Sequence, residues 1–334
     1  MPFFCCGGIL TRKYMADERP KRKIIVSGSI AFDRIMDYHG LFAEHLVPDK
    51  IHSINLSFTV EKLSVEFGGT AGNIAYNLAL LGEAPEIIAT AGIDFGPYRS
   101  HLLLSGVDPT PIRVIEGELT ASAVVLTDAS DSQISAFHPG AGKFAYDTPI
   151  ETEGRSLAII SPGNIEDMTM LPSYYRKKGL RYCYDPGQQI TALTAEQLKD
   201  GISGAYILFA SDYEFGLIAQ KTGWAAGSIL EHVTNLVVTY GVKGSRVFTK
   251  NAEWTVKATF AEDSEDPTGA GDAYRAGFIK GMLLGLPLET CAKLGGVVAA
   301  YAVEKYGTQT HRFTFPEVVE RYKKSYGEKL PIKN

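Results

Sequence analysis

The chain has few cysteines, and their placement excludes two kinds of small structural unit. The four cysteines are Cys5, Cys6, Cys183 and Cys291. Because there is no CxxC pair and no cluster of histidine with cysteine, the sequence offers neither a zinc-ribbon ligand set nor a disulfide framework. We therefore expect reduced thiols and a cytoplasmic location.

The chain also lacks an apolar run long enough to cross a membrane. A later apolar stretch, GGVVAAYAV at residues 295–303, is shorter than the roughly 20 residues that a spanning helix needs. The N-terminal stretch MPFFCCGGIL places its apolar residues before the charged ones, which is the reverse of a secretion signal. We expect residues 1–22 to be a flexible leader, or an extension upstream of a true start at Met15, and we expect no membrane partner.

No run of basic residues is present, and the formal net charge is −5. We therefore do not expect a nucleic-acid partner, whereas a small anionic ligand stays possible because backbone dipoles can bind one at any net charge. The phosphate-binding motif GxxxxGK[ST] is absent. The first apolar run ends in SGSIAFD, which lacks the GxGxxG pattern of dinucleotide-binding oxidoreductases.

What is present is a regular alternation of short apolar runs and helical segments. Runs in the middle of the chain end in small or acidic residues, as in SLAIISPGN, RYCYDPG, AYILFASDYE and NLVVTYGVKGS. This rhythm predicts a doubly wound, mostly parallel α/β sheet. KIIVSGSIAFD, residues 23–33, predicts a first buried strand that ends in a tight loop, with Asp33 at the end of this strand. Such sheets bind ligands beyond the carboxyl ends of their strands.

Two insertions depart from this rhythm. Residues 38–66 include an imperfect alternation of apolar side chains around Phe58, which is typical of exposed antiparallel strands. Residues 112–140 include two strands joined by a polar turn at residues 128–132. We therefore predict one α/β domain over residues 23–330, with a small antiparallel β lid built from the two insertions.

The segment DPTGAGDAYRAGF, residues 266–278, joins a glycine-rich loop to a helix start. Gly269 and Gly271 let successive backbone amides, including that of Ala270, converge on one point, and the helix adds its positive end. Such an anion hole suits a phosphoryl group in transfer. Asp272 could accept the proton of an attacking hydroxyl, although an ordinary aspartate N-cap is the alternative. The small residues that follow predict close packing of this helix on the sheet.

This segment resembles the signature of the ribokinase family, the PfkB-type kinases of sugars and nucleosides. GGTAGN at residues 68–73 resembles the N-terminal signature of the same family, and the two occur in the right order. The segments SAFHPGAG and YGTQTHRFT are similar to segments of bacterial adenosine kinases. The resemblance covers essentially the whole chain after residue 22, and it implies a ribokinase-like fold.

The resemblance also implies roles for individual residues. Asp272 would be the catalytic base, and the amides that hold developing charge would be those of Gly269, Ala270 and Gly271. Asp33 would hold substrate hydroxyls, and the residues lining the same sugar would be Gly68, Gly69 and Asn73. The residues beside ATP would be Thr239, Gly241, Gly244 and Thr268. For Asn73 an ordinary place in a first helical turn is the alternative, and for residues 239–245 it is a plain strand-to-hairpin turn.

One departure from the family concerns its NxxE motif, which helps to organise Mg²⁺ and phosphate. The corresponding segment here is SDYE, in which Ser211 stands at the asparagine position and Glu214 is kept. Because Mg²⁺ accepts water-mediated contacts, Glu214 could suffice. The resemblance implies ATP and Mg²⁺ as cofactors, and it leaves activation by a monovalent cation such as K⁺ open.

The expected reaction is transfer of the ATP γ-phosphoryl group to the primary hydroxyl of a nucleoside, with adenosine giving AMP. A nucleoside needs an apolar or aromatic slot for its base, which Phe58 and Phe137 on the two insertions could provide. Packing within the lid is the alternative for both. A sugar kinase acting on ribose or another furanose such as fructose stays open, as does a non-catalytic module that kept the fold. Monomer and homodimer are both compatible with the sequence.

Overall fold

The computed structural model describes residues 21–45, 55–130 and 132–332. The predicted leader at residues 1–22, with Cys5 and Cys6, lies almost wholly outside these ranges. The strands are β1 (Lys23–Ser27), β2 (Ala31–Asp37), β3 (Lys62–Gly68), β4 (Ala84–Ile88), β5 (Thr90–Ala91), β6 (Arg113–Val114), β7 (Ala121–Thr127), β8 (Gln133–His138), β9 (Arg155–Ile160), β10 (Tyr182–Tyr184), β11 (Ile207–Ser211), β12 (Asn235–Thr239), β13 (Ser245–Phe248) and β14 (Glu253–Val256). The helices are α1 (Thr70–Leu80), α2 (Gly96–Leu104), α3 (Ile165–Lys178), α4 (Ala195–Ile202), α5 (Asp212–Thr222), α6 (Ala226–His232), α7 (Ala270–Leu283), α8 (Leu288–Val303) and α9 (Phe315–Tyr326).

The larger sheet has eight strands in the order β14-β13-β12-β11-β10-β9-β1-β4. All neighbours from β12 to β4 pair in parallel, whereas β13 and β14 form an antiparallel edge. The parallel strands are continuous apolar runs because helices cover both faces of such a sheet. The predicted doubly wound, mostly parallel sheet is confirmed.

Two helical layers enclose this sheet, and the alternation of side chains along β1 shows how. Ile24 and Val26 face the layer that contains α1, α2, α7, α8 and α9. Ile25 faces the opposite layer, which contains α3, α4, α5 and α6. Successive side chains of a strand point to opposite faces, so each strand contributes to both cores.

The smaller sheet has four strands in the order β3-β2-β7-β8. The outer pairs, β2 with β3 and β7 with β8, are antiparallel, and the central pair of β2 with β7 is parallel. The polar turn predicted at residues 128–132 does join two of these strands. The apolar alternation before β3 does not form a strand, because residues 55–60 are coil and β3 begins at Lys62.

The structure corrects the placement of Asp33 at the end of the first strand. The chain leaves the larger sheet after Ser27 and enters the smaller one at Ala31. Gly28 lies at the turn, and a Cβ atom there would lie 2.1 Å from the Oγ atom of Ser161. Asp33 therefore lies inside β2 of the smaller sheet, and not at the end of a strand in the larger one.

The small residues of α7 pack mainly on a helix and not, as the sequence suggested, on the sheet. A Cβ atom at Gly277 would lie 2.8 Å from the Leu294 carbonyl oxygen, and one at Gly281 would lie 2.9 Å from the Cα atom of Cys291. Both neighbours belong to α8, so the glycines allow α7 and α8 to approach closely. Within the described ranges, no helix has both the length and the apolar character needed to cross a membrane.

Candidate active site

The glycine-rich segment begins α7 and points its first turn into a cavity. Gly269 is the N-cap residue with φ of 76°, in the left-handed region that favours glycine. A Cβ atom there would also lie 3.1 Å from Thr308. The amide of Ala270 is one of the three that the sequence predicted to bind an anion. It donates to the Pro267 carbonyl oxygen at 3.2 Å and so already has a partner. Asp272 lies in the first turn of α7.

The cavity, of about 630 Å³, lies between the smaller sheet and the carboxyl ends of strands of the larger one. Asp33 on β2 and Asp272 on α7 both line it, although they are far apart in sequence. The further predicted residues that line it are Gly69, Asn73, Phe137, Thr268 and Gly269. The structure therefore brings the proposed base and the proposed hydroxyl-binding carboxylate to one space.

Both carboxylates titrate well above the usual range for aspartate. Desolvation raises the pKa of Asp272 to about 6, while attraction to Arg275 and the hydrogen bond from Asn73 oppose the rise. Desolvation also raises the pKa of Asp33 to about 6, and repulsion from Asp266 and Glu66 adds to it. Carboxylates of this kind are largely ionised at neutral pH and still bind a proton readily, which is what a general base requires.

The glycine pair before α1 makes room for protein atoms. A Cβ atom at Gly68 would lie 2.3 Å from the Oδ2 atom of Asp33. One at Gly69, whose φ is 86°, would lie 2.5 Å from the Ser29 carbonyl oxygen. The sequence predicted that these glycines lie against substrate, but only Gly69 lines the cavity. Gly68 instead lets β3 approach the Asp33 side chain on β2.

Asn73 is buried in the first turn of α1 and contacts the proposed base directly. Its Nδ2 atom donates to Asp272 Oδ2 at 2.9 Å. Its Oδ1 atom accepts from Gln309 Nε2, also at 2.9 Å. Asn73 lines the cavity, so a contact with substrate stays a prediction, whereas the contact with Asp272 is present in the structure.

A second cavity of about 150 Å³ adjoins the first, and Gly269 and Asp272 line both. It is also lined by Gly271 and Glu214, which the sequence singled out, and by Asp185 and Arg275, which it did not. Arg275 Nη2 donates to Asp185 Oδ1 at 2.8 Å. This pair is buried, with Asp185 1% and Arg275 7% exposed. It places a guanidinium group one helical turn after Asp272.

The model of the pfkB family of carbohydrate kinases matches residues 21–313. The chain belongs to this family. A nucleoside kinase of Methanothermobacter thermautotrophicus is 31% identical over 318 residues, which span 93% of this chain and 99% of the relative. Inositol 3-kinase of Arabidopsis thaliana is 40% identical over 300 residues, which span 86% of this chain and 76% of the relative.

Solved structures of a nucleoside kinase from Burkholderia thailandensis share the fold. Its complex with inosine is 33% identical, with a TM-score of 0.80, and the match covers 92% of this chain and 99% of that one. Its complex with ADP-inosine is 34% identical, with a TM-score of 0.79, and covers 93% of this chain and 98% of that one. The ribokinase-like fold inferred from the two signatures is confirmed.

In this PfkB-family kinase, Ser211 and Glu214 form a helix cap. Ser211 is the N-cap residue of α5, and its Oγ atom accepts from the Glu214 amide at 3.2 Å. In return, Glu214 Oε2 accepts from the Ser211 amide at 2.7 Å. This reciprocal pair is a capping box, which the spacing SxxE could have predicted. Within the described ranges, no group of three His, Cys, Asp or Glu side chains forms a metal cluster.

The predicted nucleotide-side loop forms the turn between β12 and β13. Thr239 is the last residue of β12, and a Cβ atom at Gly244 would lie 2.0 Å from the Val256 carbonyl oxygen. Gly241 has φ of 56° and begins a short helical turn. None of these residues is among those that line the two cavities. Their contact with ATP therefore stays a prediction.

Phe137 lines the large cavity and is 63% exposed, whereas Phe58 packs elsewhere. The Phe58 ring lies 4.7 Å from that of Tyr38. Both residues belong to the first insertion, so Phe58 packs within it, which was the alternative to a contact with the base. Polar groups that the sequence did not single out line the cavity with Phe137, notably Asn164 and Asp167 at the start of α3. Desolvation raises the pKa of Asp167 to about 6, against the hydrogen bond from the Tyr146 amide.

Proposed function

We propose that this kinase transfers the γ-phosphoryl group of ATP to the 5′-hydroxyl of a nucleoside, with adenosine as the first acceptor to test. The observation that carries the proposal is that Asp33 on β2 and Asp272 on α7 line the same cavity. A phosphoryl acceptor needs both a base for its reacting hydroxyl and a group that holds its other hydroxyls.

In the proposed reaction, Asp272 accepts the proton of the 5′-hydroxyl. The 5′-oxygen forms a bond to the γ-phosphorus while the bond from that phosphorus to the β–γ bridging oxygen breaks, and ADP leaves. The amides at the start of α7, with the positive end of the helix, stabilise the charge on the migrating group. Asp33 accepts hydrogen bonds from the ribose hydroxyls, because a carboxylate can accept from two neighbouring O–H groups.

The small cavity beside Asp272 is where we propose that the ATP phosphates bind. Its lining combines Arg275 and Gly271 with the carboxylates of Asp185 and Glu214, and oxygen ligands of this kind suit Mg²⁺. Glu214 would hold Mg²⁺ through water, since its Oε2 atom serves the Ser211 amide. When bound, Mg²⁺ offsets charge on the ATP phosphates. ATP as the donor is supported by the relative solved with ADP-inosine.

Further expectations from the sequence belong to this proposal. The residues predicted beside ATP are Thr239, Gly241, Gly244 and Thr268, of which Thr268 lines the large cavity. A cytoplasmic location, activation by a monovalent cation such as K⁺, and the choice between monomer and homodimer stay predictions. The proposed partners are small molecules.

A nucleoside is favoured as acceptor because the cavity combines an aromatic face with polar groups. Phe137 offers a surface for a base, and Asn164 and Asp167 offer hydrogen-bonding groups within the same cavity. Two relatives are nucleoside kinases, one of them solved with inosine. The second candidate is a cyclic polyol, which the similarity to inositol 3-kinase supports. A furanose such as ribose or fructose is the alternative acceptor expected from the sequence.

An acceptor screen with Mg·ATP tests the proposal. We expect phosphorylation of adenosine, inosine or another nucleoside, with kcat/KM at least about tenfold above that for ribose, fructose and myo-inositol, because only nucleosides use the aromatic face. Product identified as a 5′-phosphate by mass spectrometry and NMR would establish the acceptor hydroxyl. Phosphorylation of sugars or inositol but of no nucleoside would show that the proposed acceptor class is wrong. Hydrolysis of ATP with no transfer of phosphate to any of these acceptors would contradict the proposal that the cavity is a kinase site.

A further inference from the structure

Gln309 lies in the middle of a buried hydrogen-bond chain that ends at Asp272. Gln309 Nε2 donates to Asn73 Oδ1 at 2.9 Å, and Asn73 Nδ2 donates to Asp272 Oδ2 at 2.9 Å. On its other side, Gln309 Nε2 donates to the Tyr98 hydroxyl at 2.6 Å, and Oε1 lies 3.0 Å from His101 Nε2. Gln309 is 4% and Asn73 5% exposed, so water does not replace these bonds.

The carboxylate at the end of this chain fixes the direction of each bond. An ionised Asp272 can only accept, so Asn73 must present its amide nitrogen to it and its oxygen to Gln309. Gln309 must then present its nitrogen to Asn73, which leaves its oxygen facing His101. His101 completes the chain by donating from Nε2. A reversal of the Gln309 amide would therefore reverse Asn73 and turn its oxygen toward the carboxylate.

A glycine of the GGTAGN segment, Gly72, leaves room for this series of hydrogen bonds. A Cβ atom at Gly72 would lie 1.9 Å from the Tyr98 hydroxyl oxygen and 3.0 Å from Gln309 Nε2. The same hydroxyl donates to the Gly68 carbonyl oxygen at 2.8 Å. A side chain at position 72 would displace Tyr98 and Gln309 together, so the glycine serves the contact between α1 and the segment that carries Gln309.

We propose that Gln309 is a positioning residue for phosphoryl transfer. It orients the Asn73 amide, and this amide holds the Asp272 carboxylate in the direction of the acceptor hydroxyl. The inference rests on the proposed function in one respect, namely that Asp272 is the base. Small displacements of a catalytic group are costly for rate, so we expect the loss of Gln309 to affect the chemical step more than substrate binding.

A double-mutant cycle separates positioning from general damage to the fold. We expect Gln309→Met, which keeps the length of the side chain without its hydrogen bonds, to lower kcat by about 10- to 100-fold with KM changed by less than about threefold. In the Asp272→Asn background the same substitution should lower the residual kcat by less than about twofold, because the group that it positions is gone. An equal loss in both backgrounds, or no loss in either, would overturn the proposal.

Further variants keep the test decisive if Gln309→Met is poorly folded. Gln309→Glu has the same shape but its carboxylate cannot donate to Asn73 Oδ1, and we expect a similar loss of kcat. Tyr76→Phe is the matched control, because it removes a buried hydrogen bond of 2.5 Å between α1 and the neighbouring His311 carbonyl oxygen. It should lower the unfolding temperature and leave kcat within about twofold.

Crystal structures of the wild type and of the two Gln309 variants supply a readout that needs no turnover. We expect the contact between Asn73 and Asp272 to be lost and the Asp272 side chain to rotate in the variants. If the wild type phosphorylates no acceptor, the proposed function fails while these structures still decide whether Gln309 positions Asp272. An unchanged Asp272 side chain in both variants would contradict the inference.

Discussion

In the proposed mechanism, ionisation of Asp272 has opposite effects on catalysis and on stability. Desolvation raises the pKa of its carboxylate from 3.8 to about 6, although attraction to Arg275 and the hydrogen bond from Asn73 oppose the rise. A carboxyl group that binds its proton more tightly in the folded state favours folding while it is protonated. This contribution is fully present below the unfolded pKa and is lost as the pH rises through about 6. The ionised form that the proposed mechanism needs is therefore the form that destabilises the fold.

This predicts a pH-dependent gain in stability for Asp272→Asn, whose side chain cannot ionise. At pH 7.5 the variant should unfold at a higher temperature than the wild type, and the difference should shrink as the pH falls from about 6 to about 4. In the wild type, kcat/KM should fall as the pH drops below about 6, because protonated Asp272 cannot accept the hydroxyl proton. Calorimetry and pH–rate profiles measure the two effects. A variant that is less stable than the wild type at pH 7.5 would contradict this account.

At the residue scale, local motifs predict which residues line the cavity, and distant partners escape them. Asp33, Asn73 and Asp272 stand in or beside short signatures whose chemistry is visible in the sequence. Gln309 stands in the segment YGTQTHRFT, but that segment did not indicate its role, because its partner Asn73 lies 236 residues away. Asp185 and Arg275 are 90 residues apart. No periodicity or spacing reports such contacts, since they depend on how the helices dock.

The starts of two helices meet at the site. Both α1 and α7 follow a glycine with positive φ, 86° at Gly69 and 76° at Gly269. Their first turns are joined by the hydrogen bond between Asn73 and Asp272. The positive ends of two helices thus lie close together, an arrangement that favours anions.

The start of α5 offers a test of what Ser211 does. Serine, threonine, asparagine and aspartate all cap helices well, whereas alanine does not. We therefore expect Ser211→Ala to lower the free energy of unfolding by about 1 kcal/mol and Ser211→Asn, which restores the usual residue of the family, to leave it nearly unchanged. Urea denaturation of both variants measures this. Equal stability of Ser211→Ala and the wild type would show that the capping box does not stabilise α5.

At the scale of elements, the parallel strands were predictable because they are continuous apolar runs. The path of the chain from the larger sheet into the smaller one was not predictable in the same way. β2, with the sequence AFDRIMD, mixes apolar and charged residues, and its parallel partner β7 lies far along the chain. The chain leaves the larger sheet at Gly28, where a side chain would meet the Oγ atom of Ser161.

As a whole, the molecule places its cavity between two sheets with different tasks. The larger sheet and its helices supply Asp272 and the small cavity beside it, and the smaller sheet supplies Asp33 and Phe137. We propose that donor and acceptor meet at this boundary, with movement of the smaller sheet excluding water from the reaction. The substrate of such an enzyme is then decided mainly by the smaller sheet and the start of α3.

The most direct test of this account is the transfer of labelled γ-phosphate from ATP to the best nucleoside acceptor, in the wild type and in Asp272→Asn. Calorimetric binding of ATP and nucleoside to both proteins controls for a damaged site. The account predicts that the variant binds both ligands with dissociation constants close to those of the wild type and transfers phosphate at least about 100-fold more slowly, the scale for loss of a positioned base. Transfer at a rate near that of the wild type would show that Asp272 is not the base, and would contradict the central claim.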